Sequence, residues 1–253
     1  MISKNTIKRL NSLSQKKYRN KEGLFLVEGD KMVLELASSA LIIAELFVTA
    51  DFEHDYKKSG LKAEKISVVE KAELKKISQL KTPQNSLAVC RLPEAKPIPE
   101  MINDDLSVFL DGIQDPGNMG TIVRLCDWFG IQHLFCSPDT VDLFNPKVIQ
   151  ASMGSFMRVN VYECELEAVK ALAAASGAVI YGAFMNGENI YAANLAEHSI
   201  LVVGNEGNGI REASEALIDK KISIPNFSEN NSKAESLNVS VAIAIICSEF
   251  KRR

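Results

Sequence analysis

Leu201-Val-Val-Gly-Asn-Glu-Gly-Asn-Gly-Ile210 begins as an apolar run and ends in a turn of glycines and asparagines around one carboxylate. With Ser199 and Ile200 before it, the run reads as a buried strand closed by a tight turn. Two other stretches share this build: Asp111–Arg124 (DGIQDPGNMGTIVR) and Ile222–Ile245 (ISIPNFSENNSKAESLNVSVAIAI). Each joins a Gly- or Asn-rich bend to apolar sequence and sets polar side chains at the bend. Open α/β sheets bind ligands beyond the carboxyl ends of their strands. Three such turns in one half of a chain therefore suggest one composite site.

Outward from these turns the chain alternates short apolar runs with helical periodicity, the pattern of an α/β fold. Strands are expected at 107–113, 131–137, 179–185, 199–204 and 221–225, and helices at 118–129, 146–152 and 239–250. The front part holds strand-like runs at 24–30, 43–50, 65–70 and 86–92, with short helices at 31–38 and 71–77. A basic, partly amphipathic helix and loop precede them at Lys4–Lys21. The segment 93–100 (PEAKPIPE) holds three prolines and no apolar period, which marks a linker. The expected organisation is a smaller α/β domain over 1–95, a linker over 96–105 and a larger α/β domain over 106–253.

Charge divides along the same line. Residues 1–95 carry 17 Lys+Arg against 12 Asp+Glu, and residues 96–253 carry 12 against 20. A basic front unit suits a polyanionic partner, with Lys8, Arg9, Lys16, Lys17 and Arg19 as its candidate contacts. Composition excludes other classes. Five widely spaced cysteines with no CxxC pair support neither a disulfide framework nor a zinc site. They read as reduced, buried thiols of a cytosolic protein. The amino terminus lacks an apolar signal core, and no 18-residue apolar run suggests a membrane span. His54, His133 and His198 are scattered and read as surface or packing residues.

Read singly, each turn has an ordinary structural explanation. Asn118 follows Asp115-Pro116-Gly117 and suits capping of the next helix. Arg124 among Ile122, Val123 and Leu125 suits a solvent-facing cation or a salt bridge. The turn Gly204–Gly209 is G-x-x-G-x-G with Glu206 inside, so the dinucleotide fingerprint G-x-G-x-x-G fails, and no GK[ST] phosphate loop is present. Ser236 and Asn238 are ordinary cap residues before the apolar helix from Val239. That helix is apolar on most faces and is expected to be buried.

Taken together and in order, the three turns resemble the motifs of the SpoU (TrmH) family of RNA ribose 2′-O-methyltransferases, part of the SPOUT superfamily. The resemblance covers about 108–250. DPGNMGTIVR is similar to the first family motif, VVGNEGNGI to the second, and IPNF with SLNVSVAIAI to the third. YRNKEGLFLVEGDKMVLEL (18–36) resembles the substrate-binding domain often attached to this family. The resemblance implies a trefoil-knotted α/β domain, S-adenosylmethionine as methyl donor with no metal, a homodimer, and RNA as substrate. Ribosomal RNA is favoured over transfer RNA. It also implies that Gly204, Asn205, Gly209, Ile224 and Leu237 hold the donor, and that Arg124, Asn118, Glu206, Ser236 and Asn238 serve catalysis. The chain departs from the family in a longer loop at 226–235 that lacks the usual glycine.

Methyl transfer from a sulfonium needs in-line positioning and loss of the ribose 2′-OH proton. The family proposal makes Arg124 the base, yet a guanidinium barely deprotonates in proteins. An arginine here suits gripping a phosphate and stabilising developing alkoxide equally well, with Asn118 and Glu206 expected to orient it. Two other readings share the fold: a non-catalytic RNA-binding protein, and a knotted methyltransferase acting on a base.

Overall fold

A computed structural model of the chain describes residues 1–102, 105–228 and 236–252. The front half runs α1 (Lys4–Ser12), α2 (Lys16–Glu22), β1 (Leu24–Glu28), α3 (Asp30–Glu35), β2 (Ile43–Val48), α4 (Ala50–Ser59), β3 (Ala63–Val68), α5 (Lys71–Ile77) and β4 (Ser86–Arg91). Then come β5 (Leu106–Asp111), α6 (Pro116–Trp128), β6 (His133–Cys136), α7 (Pro146–Ser152), β7 (Asn160–Glu163), α8 (Leu166–Ser176), β8 (Val179–Asn189), β9 (Ser199–Gly204), α9 (Glu212–Glu215), β10 (Lys220–Ser223) and α10 (Val239–Arg252). Most expected elements lie within a few residues of these bounds. Five were not anticipated: α2, where a loop was expected, and α4, α8, β7 and the single turn α9. The polar helix α4 buries only Phe52, and β7 is four residues long, so neither carries a strong apolar period.

The chain forms two compact units, Met1–Glu94 with Asp142–Met157, and Ala95–Val141 with Arg158–Arg253. In the first unit a four-stranded sheet has the order β1-β4-β2-β3, antiparallel except between β2 and β3. Leu10 and Leu13 at the end of α1 join Leu26, Phe47, Leu74 and Leu87 in its core. A serine cap opens α1, where Ser3 Oγ accepts from Thr6 N–H at 3.1 Å, and left-handed Gly23 closes α2.

The expected helix at 146–152 exists as α7, but it belongs to this first unit rather than to the domain around it in sequence. Phe25 of β1 packs on Phe144 at 4.7 Å between ring centroids and on Phe156 at 6.2 Å. The same association corrects the expectation that Arg19 meets RNA. Arg19 is 2% exposed, donates to the carbonyls of Leu13 and Ser14 at 2.9 and 3.0 Å, and forms an ion pair with Asp142. A buried guanidinium needs this full set of acceptors, so its role is to hold α2 to residues 142–157. Arg9 is also engaged, in an ion pair with Glu45, while Lys8, Lys16 and Lys17 are exposed.

In the second unit six strands form an all-parallel sheet in the order β10-β8-β9-β5-β6-β7. Its central strands are buried on both faces, which explains their unbroken apolar runs. Strands β5 and β9 pair side by side with Asp111 opposite Gly204. The first two turns therefore leave the sheet next to each other. The third segment starts at the edge, after β10, and returns through α10, which packs on α6 and β9. Two glycines permit backbone-to-backbone contact along this route. A Cβ on Gly204 would lie 2.1 Å from the carbonyl carbon of Gly209, and one on Gly187 would lie 2.4 Å from that of Ile222. No other residue fits there.

Candidate active site

The first turn is capped by Asp115, whose Oδ1 accepts from Asn118 N–H at 2.8 Å, with Pro116 in the first helical turn. The expected cap residue, Asn118, is thereby released to point elsewhere. Its Nδ2 donates to Glu206 Oε1 at 2.7 Å, and its Oδ1 accepts from Asn238 Nδ2 at 3.0 Å. One asparagine thus links all three turns. Asn238 also caps α10, its Oδ1 accepting from Ser240 N–H at 3.0 Å and from Ser240 Oγ–H at 2.6 Å. Capping and site assembly are done by the same side chain.

Asn205 shapes the second turn. Its Oδ1 accepts from Gly207 N–H at 2.9 Å and Asn208 N–H at 3.2 Å, and its Nδ2 donates to Gly112 O at 2.8 Å. Its backbone pairs with Gly209 in both directions. Gly209 at φ 70° and Gly112 at φ 74° take left-handed conformations that glycine favours.

The sequence reading missed a second clasp between these strand ends. Asp111, 1% exposed, accepts from Arg211 N–H at 2.9 Å and from its Nε at 2.6 Å, and an ion pair joins the two side chains. The hydrogen-bonded Asp111 carboxylate holds the Arg211 guanidinium above its usual range. Asp139 adds a longer contact to Arg211 at 3.4 Å. A carboxylate closing an apolar strand was the available signal, since a buried charge needs a partner.

Beside these clasps lies a cleft of about 730 Å³, bounded by the second and third segments. Gly204, Asn205, Glu206, Gly209, Ile224, Ser236 and Leu237 all line it, with Phe227 and the apolar Val203, Ile222 and Ile246. Its size is that of a small-molecule site, and its walls mix apolar side chains with backbone polar groups. Of the loop at 226–235, residues 229–235 lie outside the described residues. Neither Asn118 nor Asn238 is a lining side chain: Asn118 meets the cleft through Glu206, and Asn238 sits between the lining residues Leu237 and Val239.

Arg124 is exposed on α6 and has no hydrogen-bond or ion-pair partner among the described residues. The structure does not join it to Asn118 or Glu206, so those residues do not orient it directly. Among the described residues no group of three or more His, Cys, Asp and Glu side chains could hold a metal. The five cysteines are buried, and none of them lines the cleft. Burial pushes the Cys90 and Cys247 thiols up to about 12 and Cys164 to about 11.

Comparison with known proteins gives this geometry a family. The SpoU rRNA Methylase family matches residues 105–248, and an MRM3-like substrate binding domain matches residues 4–88. The chain is 32% identical over 247 residues to the 23S rRNA (guanosine(2553)-2′-O)-methyltransferase RlmP of Bacillus subtilis, covering 95% of this chain and 93% of that one. A TrmH-family protein from Porphyromonas gingivalis superposes over 100% of this chain and 99% of its own, with TM-score 0.87 and 40% identity. The SpoU methyltransferase AviRb from Streptomyces viridochromogenes, solved in complex with AdoMet, shares the fold at TM-score 0.86 and 21% identity, covering 99% of this chain and 98% of that one. With family motifs, chain-length similarity and fold in agreement, the chain belongs to the SpoU rRNA methylase family and is an RNA-methylating enzyme.

Proposed function

We propose that this enzyme transfers a methyl group from S-adenosylmethionine to a ribose 2′-OH of ribosomal RNA. The observation that carries the reading is the joining of the three turns by Asn118, Glu206 and Asn238 at the rim of the 730 Å³ cleft. The cleft suits the donor: apolar residues from β9, β10 and α10 can enclose its adenine, and the glycine turn offers backbone polar groups to its ribose and amino-acid end. Gly204, Asn205, Gly209, Ile224 and Leu237 are its proposed contacts. Bound there, the donor supplies an electrophilic sulfonium methyl.

The chain's own groups then act on the RNA. Arg124, unpartnered on the exposed face of α6, grips a phosphate beside the target ribose and stabilises the alkoxide as the 2′-OH proton passes to solvent water. Ser236 and Asn238 position the ribose, while Asn118 holds Glu206 and the third segment in register. The Lys-bearing face of residues 1–95, with Lys8, Lys16 and Lys17, contributes phosphate contacts. Ribosomal RNA is supported as substrate by the Bacillus subtilis relative, a 23S rRNA methyltransferase.

Two structural expectations belong to the same reading. Membership of the SpoU family supports a trefoil knot through which the third segment is threaded. A homodimer is the second expectation, with exposed Trp128 on α6 and Val241 on α10 as its candidate interface residues. Arg124→Ala tests the chemistry: methyl transfer is lost while donor affinity stays within about twofold. Loss of both together removes Arg124 from the reaction.

A further inference from the structure

The first unit contains a cavity of about 310 Å³ that no part of the methyl-transfer reading uses. Leu26, Leu80 and Ile149 form its apolar walls, Glu28 lies at its back, and Lys147 and Gln150 stand at its exposed side. Glu28 is 5% exposed, and burial raises its carboxyl above the usual range. Two donors reach it: Ser78 Oγ–H, and Gln79 N–H at 2.9 Å. A carboxylate has about four acceptor positions, so each oxygen keeps one for a ligand. Lys147 and Gln150 have no side-chain partner among the described residues.

The parts fit a planar ligand with donors on one edge and an anion on the other. The apolar walls accept a ring. Glu28 accepts two parallel N–H groups, and Lys147 meets a phosphate. Guanine alone among the RNA bases presents two adjacent donors, N1–H and N2–H, on one edge. Adenine and cytosine offer only their amino group there, and uracil a single imide N–H.

We propose that this cavity receives one unstacked guanine of the RNA, held by Glu28 along its N1–H and N2–H edge and by Lys147 at its phosphate. The proposal rests on the RNA-methylating reading and adds a sequence-reading contact to the first unit, the kind of single-stranded base capture by which proteins read RNA.

The test uses the full chain with two variants, Glu28→Gln and the cavity-filling Ala151→Met, which leaves the carboxylate in place. Guanosine 5′-monophosphate should bind the wild type at least about tenfold more tightly than inosine 5′-monophosphate, which lacks the N2 amine. Both variants should abolish that preference. With unmodified 23S rRNA transcript, both should raise KM for RNA about tenfold, leaving donor affinity and melting curves of Ala151→Met unchanged. Equal binding of the two nucleotides, or an unaltered RNA KM in Ala151→Met, overturns the proposal. Should the wild type transfer no methyl to any RNA, the functional reading fails instead, and the nucleotide titrations still decide the cavity.

Discussion

Asp111→Ala removes the carboxylate that ties the end of β5 to the segment after β9. Two losses must be weighed. The Arg211 backbone N–H, now held at 2.9 Å, would lack its acceptor, and an unsatisfied donor in a partly buried setting costs about 1–3 kcal/mol. The ion pair adds less. The Asp111 side chain is fully enclosed, but the Arg211 side chain is 44% exposed and keeps Asp139 at 3.4 Å. Its guanidinium can turn to water, so its share is no more than about 1 kcal/mol. The sum is about 3 kcal/mol, or a fall in Tm of roughly 6–12 °C for a unit of this size. Asp111→Asn keeps an acceptor for the N–H and should cost about 1 kcal/mol. Because the clasp fixes the turn at 205–209, the Ala variant should also weaken S-adenosylmethionine binding at least about tenfold. Circular-dichroism melts and titration calorimetry measure both. A melt within 1 °C of wild type, with unchanged donor affinity, would refute the view that this clasp holds the site.

Two further outcomes follow from buried groups. Arg19→Ala should destabilise the first unit by about 3–5 kcal/mol, because Asp142 and two carbonyls lose their partner. A denaturant titration that finds less than 1 kcal/mol would contradict the burial argument. The cysteines predict alkaline lability. Their folded thiols ionise well above the ordinary value of 9.0, so the contribution to stability is full below pH 9 and falls as pH rises. Each fully buried thiol removes up to about 1.4 kcal/mol per pH unit there. Unfolding curves at pH 7 and pH 10 check this, and alkylation at pH 8 should proceed only as the chain unfolds. Rapid labelling of the native protein at pH 8 would count against it.

The sheet was readable because its strands are apolar without interruption and end at glycine or proline bends, signals that lie within a few residues of each other. The three turns were readable for the same reason. What their residues do depends on partners far along the chain. Asn118 resembles a cap in sequence, but Asp115 takes that task, and contacts 88 and 120 residues away reassign Asn118 to the site. Arg19 looked like one more cation in a basic segment, and only an ion pair reaching 123 residues forward shows it to be internal. α7 likewise joins the first unit through packing on β1 that its local sequence does not announce. Asp111 and Arg211, 100 residues apart, form a clasp that no local pattern announces.

In the proposed reaction a ribose 2′-OH is the methyl acceptor beside Arg124 and the joined turns. The direct measurement is transfer of labelled methyl from S-adenosylmethionine to its RNA, first mapped to one nucleotide by mass spectrometry. The same RNA is then rebuilt with a single 2′-deoxyribose at that nucleotide. The account predicts full methylation of the first RNA and none of the second, because the acceptor oxygen is absent. Equal methylation of both would place the methyl on a base and contradict the central claim.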